Sequence, residues 1–155
     1  MPGREKIRKA KIADAKKIYS LIGFWAKRGR LLERSLDNIY ENIRDFWVCQ
    51  KGREILGVCA LHIVGWQNLA EIRSLAVSEN HLKKKIGIKL VKACIEEAKS
   101  LGVKKIFVLT FVESYFRKIG FKKIAKSKLP HKIWKECINC VHFPNCKERA
   151  LILEL

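Results

Sequence analysis

The segment HLKKKIGI, residues 81–88, sets Lys83, Lys84 and Lys85 directly before Ile86, Gly87 and Ile88, which open an apolar-periodic stretch. Free N–H groups at a helix start, with the helix dipole behind them, bind anions. Glycines favour such a site because the backbone must approach the phosphate and can need a positive φ. Here Gly87 is the one glycine of the segment. Three cations beside a pyrophosphate would make charge-assisted contacts. The same residues also read as a lysine-rich helix start with no ligand.

Two further groups carry chemistry. In AEIRSLAV, residues 70–77, strand alternation turns Glu71, Arg73, Leu75 and Val77 one way and Ile72, Ser74 and Ala76 the other. Arg73 could hold a substrate carboxylate, and it would favour the ionised form of Glu71. The alternative is a structural ion pair on a sheet face. Near the end, CINCVHFPNC spaces Cys137, Cys140 and Cys146 around His142, with His131 upstream. Three thiols and a histidine suit a tetrahedral structural zinc. A disulfide and three reduced cysteines in a compact loop are the other readings.

The elements that must position these groups alternate between strand and helix. KIRKAKI reads as a first strand over residues 6–12. Ile18, Leu21, Ile22 and Trp25 fall on one face of a helix that Gly29 can cap. Ser35 can cap a second helix with Leu36, Ile39, Tyr40, Ile43 and Phe46 on its apolar face. FWVCQ, ILGVCALHIV and LAEIRSLAV follow as an antiparallel meander with a turn at KGRE. A helix after residue 82 buries Leu90, Val91, Cys94, Ile95, Ala98 and Leu101. Then come the strand KKIFVLT, the short helix ESYFRKIG, the strand FKKIAK, an irregular cysteine-rich segment over 126–148, and the closing strand RALILEL. The pattern is one α/β domain over residues 1–155, a mixed sheet flanked by helices.

At 155 residues with 48% hydrophobic side chains the chain can bury a core and is not a disordered segment. It has no apolar run near the roughly 20 residues a membrane helix needs. Its basic start lacks the apolar core of a secretory signal, so a soluble, cytoplasmic protein is expected. Cys49, Cys59 and Cys94 fall in apolar runs and read as small buried hydrophobes. The net charge of +18 points to an anionic partner such as nucleic acid, acidic lipid or a polyphosphate. It also suits a solvated surface of the kind found in heat-adapted proteins, since lysine and isoleucine abound while Gln50 and Gln67 are the only glutamines.

The succession ILGVCALHIV, AEIRSLAVS, IGIKLV, IFVLT and the aromatic helix ending KIGF resembles the GNAT superfamily of acetyl-CoA-dependent N-acetyltransferases. With LLERSLDNIYENIRDF and LPHKIWKECINC at the flanks, the chain is most similar to the short, stand-alone N-acetylglutamate synthases, amino-acid N-acetyltransferases without a kinase domain. The resemblance implies a mostly antiparallel mixed sheet and acetyl-CoA as cosubstrate. It implies coenzyme A contacts from the backbone of Leu75, Ala76 and Val77, from residues 83–88, and from Thr110 and Phe116. Glu71 takes the place of the general base. The tyrosine that many relatives use as general acid is displaced by one position, from Phe116 to Tyr115, a rotation of about 100° on a helix. Tyr115 or water would then protonate the thiolate. Arg34 aligns with an arginine that grips the substrate carboxylate, with Lys132 as a further contact. The implied function is N-acetylation of an amino acid, glutamate foremost, in arginine biosynthesis.

Other functions stay open. Another small amine or a protein amine could be the acceptor. The family's phosphate-loop pattern, a polar residue followed by two glycine-type positions, would fall at Leu82, Lys85 and Gly87, and only Gly87 matches it. The departures at Lys85 and Phe116 also fit a domain that senses acetyl-CoA without turnover. A basic nucleic-acid module with a zinc-stapled tail is disfavoured, because no recognised motif appears and the aromatics sit in apolar periodic positions. A homodimer is compatible with the sequence.

Overall fold

The computed structural model describes residues 4–65, 68–125, 128 and 149–155, and only the backbone of Lys83 and Lys84. The strands are β1 (Lys6–Lys9), β2 (Phe46–Lys51), β3 (Glu54–Ile63), β4 (Leu69–Val77), β5 (Lys105–Thr110), β6 (Lys122–Lys123) and β7 (Arg149–Glu154). The helices are α1 (Ala15–Ala26), α2 (Leu36–Glu41), α3 (Ile86–Ser100) and α4 (Glu113–Ile119). The strands hydrogen-bond in the order β1-β2-β3-β4-β5-β7-β6. This is the mixed, mostly antiparallel α/β sheet expected. Contacts divide the chain into two units, Met1–Leu61 with Ile72–Glu97, and His62–Glu71 with Ala98–Leu155.

In the first unit β2 pairs antiparallel with β1 and with β3. The β2–β3 turn places Gly52 (φ +60°) first in its two-residue loop, where a type II′ hairpin wants glycine. Ile18 and Ile22 of α1 and Ile39 of α2 pack with Phe46, Val48, Val58, Ala60 and Ala76 into one buried cluster. Helix α1 ends as its sequence suggests. Gly29 adopts φ +72°, its N–H bonds the carbonyl of Ala26, and the Arg30 N–H bonds that of Trp25. Those two bonds are the Schellman motif. Ser35 caps α2 by accepting the Asn38 N–H at 3.1 Å. Cys49, Cys59 and Cys94 are fully buried. A hydrogen bond with Cys94, then burial, holds the Cys59 thiol well above its ordinary pKa, which suits an inert core residue.

A partly buried ion pair helps tie the edge of this unit. Arg8 of β1 donates to both carboxylate oxygens of Asp14, at 2.8 and 3.0 Å, and to Gln50 at 2.7 Å, while the Lys11 N–H reaches Asp14 at 2.7 Å. The Arg8 hydrogen bonds, reinforced by Lys11 and by nearby positive charge, hold the Asp14 carboxyl below its ordinary pKa. A depressed carboxyl pKa gives stability that is present above the unfolded value near 4 and lost as pH falls through the folded one. Asp14→Asn is expected to cost about 2 kcal/mol at pH 7. Urea denaturation should show that deficit shrinking as pH falls below about 4.

In the second unit β7 pairs antiparallel with β5 and β6. Phe107 and Ala150 form the buried centre, with Leu69, Leu109, Ile124 and Ile152 packed around them. Lys122 and Lys123 face solvent on the two-residue β6.

Several elements differ from the sequence expectation. The first strand ends at Lys9, and Ile12–Asp14 form a 3-10 turn with Ile12 60% exposed. The second helix stops at Glu41. Ile43 lies in another 3-10 turn and Phe46 begins β2, fully buried. The helical spacing continued by accident into a strand whose first residue is also apolar. Leu101, placed on the buried side of the third helix, lies beyond its end and is 61% exposed. The predicted FKKIAK strand has two residues. No helix among the described residues is long and apolar enough to cross a membrane.

Candidate active site

Strand β4 carries the central departure from strand geometry. Ser74, in its middle, has φ +56°. The left-handed region is uncommon for a residue other than glycine and costs roughly 1–2 kcal/mol. One class of β-bulge contains a left-handed residue, where glycine is usual. Ser74 thus departs from regular strand geometry within the segment for which a two-residue alternation was predicted; Glu71 and Arg73 precede it, and Leu75 and Val77 follow. Beyond it, the Trp25 indole N–H donates to the Val77 carbonyl at 2.8 Å and pins the strand end to α1.

Ser74 also meets Arg34. The Arg34 guanidinium donates from Nε to Asn38 Oδ1 at 2.8 Å and from Nη1 to Ser74 Oγ at 3.2 Å. Its Cζ lies 4.9 Å from the Phe46 ring centroid, and the residue is 8% exposed. Arg34 comes just before Ser35, the N-cap of α2, so Asn38 sits one helical turn along and can reach back to it. An arginine this buried would be costly without such partners. Sequence reasoning found Arg34 but missed Asn38 and Ser74. The available signals were the four-residue spacing from Arg34 to Asn38 and a serine amid the apolar residues of the strand.

The lysine-rich segment is a 3-10 turn, Glu79–Lys84, where a helix was expected to start after residue 82. Lys85 follows at φ +59°, and α3 begins at Ile86. Lys85 thus takes the conformation a glycine adopts at no steric cost. Gly87 is the second residue of the helix. The first N–H groups of an α-helix have no intrahelical acceptor, which includes Ile86, Gly87 and Ile88.

Gly57 of β3, which sequence reasoning missed, sets how deep that helix start lies. A Cβ there would come within 2.8 Å of Ile86 Cγ2, 2.9 Å of Leu90 Cδ1 and 3.4 Å of the Ala76 carbonyl. Its signal was a glycine inside the apolar run ILGVC, a mark of close approach.

In the second unit, Glu71 is 4% exposed near the start of β4. Thr110 ends β5, buried, and its hydroxyl accepts the Val112 N–H at 3.0 Å just before α4. Tyr115 and Phe116 are neighbours on α4 and pack edge to face at 5.3 Å; Phe116 does the same with Phe121 at 5.4 Å. Phe116 is a buried core residue, 2% exposed. Lys132, Cys137, Cys140, Cys146, His131 and His142 lie outside the described residues. Among the described residues no cluster of three His, Cys, Asp or Glu side chains could hold a metal.

Comparison with known proteins bears on the family of the chain. The model of the acetyltransferase (GNAT) family matches residues 13–121. An uncharacterized N-acetyltransferase of Chlorobaculum tepidum is 40% identical over 149 residues, 96% of each chain. The amino-acid acetyltransferase of Mycobacterium tuberculosis is 31% identical over 136 residues, 86% of this chain and 77% of that protein. The N-acetylglutamate synthase of Neisseria gonorrhoeae, solved with coenzyme A and N-acetyl-glutamate, superposes with a TM-score of 0.90 at 25% identity, covering 99% of this chain and 35% of that one. A family match over most of the chain, joined to a 40% identical relative along nearly its whole length, makes this protein a member of the GNAT family of acetyltransferases.

Proposed function

We propose that this protein transfers the acetyl group of acetyl-CoA to the α-amine of an amino acid, with L-glutamate the leading acceptor and arginine biosynthesis the destination. The observation that carries the reading is the buried Arg34 guanidinium, oriented by Asn38 and Ser74. A planar guanidinium fork suits the two oxygens of an α-carboxylate. Support also comes from the relatives named amino-acid acetyltransferase and from the Neisseria enzyme solved with N-acetyl-glutamate.

For the cosubstrate, the start of α3 offers N–H groups and a helix dipole to a pyrophosphate. Lys83, Lys84 and Lys85 precede it with three positive charges. The backbone of Leu75, Ala76 and Val77, after the left-handed Ser74, is the counterpart for the pantetheine and the thioester carbonyl. The resemblance implies Thr110 as a further contact, whereas Phe116, also expected there, is packed into the core. In the reaction the amine nitrogen attacks the thioester carbon and the C–S bond breaks. Glu71 takes the amine proton, and the thiolate gains one from Tyr115 or from water. Arg73, on β4, is a second cation able to meet a carboxylate.

A panel of amino acids and their decarboxylated amines tests the acceptor class. Amino acids should be turned over at least about 100-fold more efficiently, as expected when a charge-assisted contact is lost. Equal turnover of both sets would contradict the reading.

Gly57 gives a separate test of the phosphate site. Gly57→Ala should destabilise the fold by about 1–3 kcal/mol through overpacking. It should also weaken acetyl-CoA binding by displacing Ile86 and the first turn of α3. Ile86→Leu removes the Cγ2 branch that the new methyl strikes, and should recover part of both losses in the double variant. Calorimetric titration with coenzyme A beside a thermal melt reads the two effects.

A further inference from the structure

The peptide group that joins Val77 to Ser78 is held at both ends, by two different elements. Its N–H donates to the Leu56 carbonyl of β3 at 2.7 Å, and its carbonyl accepts the Trp25 indole N–H of α1 at 2.8 Å. The N–H and C=O of a planar trans peptide point in opposite directions. The Val77 carbonyl therefore points away from β3, whereas the Ala76 carbonyl before it lies toward β3, 3.4 Å from where a Cβ on Gly57 would sit. Trp25 thus fills a backbone acceptor on the edge of β4 opposite β3.

The indole is itself held in place. The Trp25 carbonyl accepts the N–H groups of Arg28 and Arg30 at 3.1 and 3.0 Å, in the turn that Gly29 closes. Its ring meets Phe24 edge to face at 5.0 Å and packs against the buried cluster that includes Ala76. All of these residues lie in the first unit.

The same peptide is the joint of the cosubstrate site proposed above. Leu75, Ala76 and Val77 precede it, and the turn Glu79–Lys84 follows it, opened by the His81 N–H donating to the Ser78 carbonyl at 2.9 Å. A peptide tied by one hydrogen bond can swing its dipole about the flanking dihedrals. Tied by two, it fixes the direction in which the chain leaves the strand. A bare carbonyl at that point would also turn its negative end toward an incoming polyphosphate, and the indole N–H offsets it.

We infer that Trp25 is a positioning residue for the cosubstrate: its indole N–H orients the Val77–Ser78 peptide and so sets the pantetheine-binding strand end against the phosphate-binding turn. The inference rests on the acetyl-CoA reading of β4 and the start of α3, and deepens it. Trp25 acts through the β4 backbone and not on the reacting atoms.

Two replacements remove the N–H and keep an aromatic ring. Benzothienylalanine in place of Trp25 preserves the shape, with sulfur where the indole has N–H, and Trp25→Phe is the encoded counterpart with a smaller ring. Both are compared with Asp14→Asn, a destabilised variant altered at the β1 edge of the same unit. Calorimetric titration with coenzyme A, initial rates and thermal melts are the measurements. Both Trp25 replacements should weaken coenzyme A binding and raise the acetyl-CoA KM by about five- to tenfold, the worth of one hydrogen bond. Acceptor KM and kcat should stay within about twofold. Asp14→Asn should melt lower yet bind coenzyme A as the wild type does.

A merely structural Trp25 predicts lower melting temperatures with coenzyme A affinity unchanged in both replacements. That result overturns the inference and leaves the cosubstrate reading standing. If the wild type itself does not bind coenzyme A, the two fail together.

Discussion

Arg34→Ala should raise the KM for the amino-acid acceptor by about 100-fold, the equivalent of a charge-assisted contact of roughly 2–3 kcal/mol. Coenzyme A affinity should stay within about twofold, since Arg34 is placed among the acceptor contacts and not those of the cosubstrate. Arg34 is also buried over Phe46, so truncation removes packing as well as charge. Arg34→Lys separates the two. Lysine keeps the charge and much of the aliphatic stem but cannot reproduce the planar fork. We expect it to lose about tenfold in KM, intermediate between wild type and alanine. If lysine restores full affinity, the site reads charge alone. If the alanine variant keeps wild-type KM, Arg34 is a structural residue and the acceptor lies elsewhere.

Replacing Glu71 by Gln should lower kcat by about 10²–10⁴-fold while acceptor KM changes little, the signature of a group used in proton transfer and not in ground-state binding. Glutamine keeps the size of the side chain and a hydrogen-bonding carbonyl, so the 4% exposed site need not collapse. The variant's activity should climb with pH, because hydroxide and buffer then deprotonate the amine that Glu71 served. Stopped-assay rates from pH 7 to 10 read this out. A structural Glu71–Arg73 pair predicts a different pair of results: an unchanged kcat in the folded fraction and a lower melting temperature. The pH-rate profile and the thermal melt therefore decide between proton transfer and scaffolding.

The parts of the fold legible in the sequence were those set by local chemistry. Gly29 and Ser35 act at helix ends through bonds to residues three to five positions away, and the structure has both. Ile18, Ile22 and Ile39 show the apolar period of amphipathic helices and all three are buried. Element ends were harder to read. Phe46 continued the spacing of α2 but belongs to β2, because pairing with β3 outweighs a local period. Leu101 kept the helical phase beyond the last turn of α3 and faces solvent.

The least legible features belong to the candidate site. Serine and lysine seldom adopt positive φ, so nothing local marks Ser74 or Lys85. Backbone strain of this sort persists only where the surrounding structure over-determines it. Gly57 is comparable, since its lack of a side chain acquires meaning only once α3 lies across β3. Asn38 reads as an ordinary helix residue until Arg34 folds back onto it. The alternation that set Leu75 and Val77 on the face of Glu71 had no local sign of the left-handed residue that lies between them.

The most direct test of the account is mass-spectrometric detection of acetylated product after incubation of the full chain with acetyl-CoA and L-glutamate at low salt. Mass detection is blind to the protein's own cysteine thiols, which would confuse a thiol-release assay. The account predicts N-acetylglutamate with the wild type, and its loss in Glu71→Gln and Arg34→Ala. No acetylated amino acid from glutamate or any other α-amino acid, with coenzyme A still bound, would contradict it.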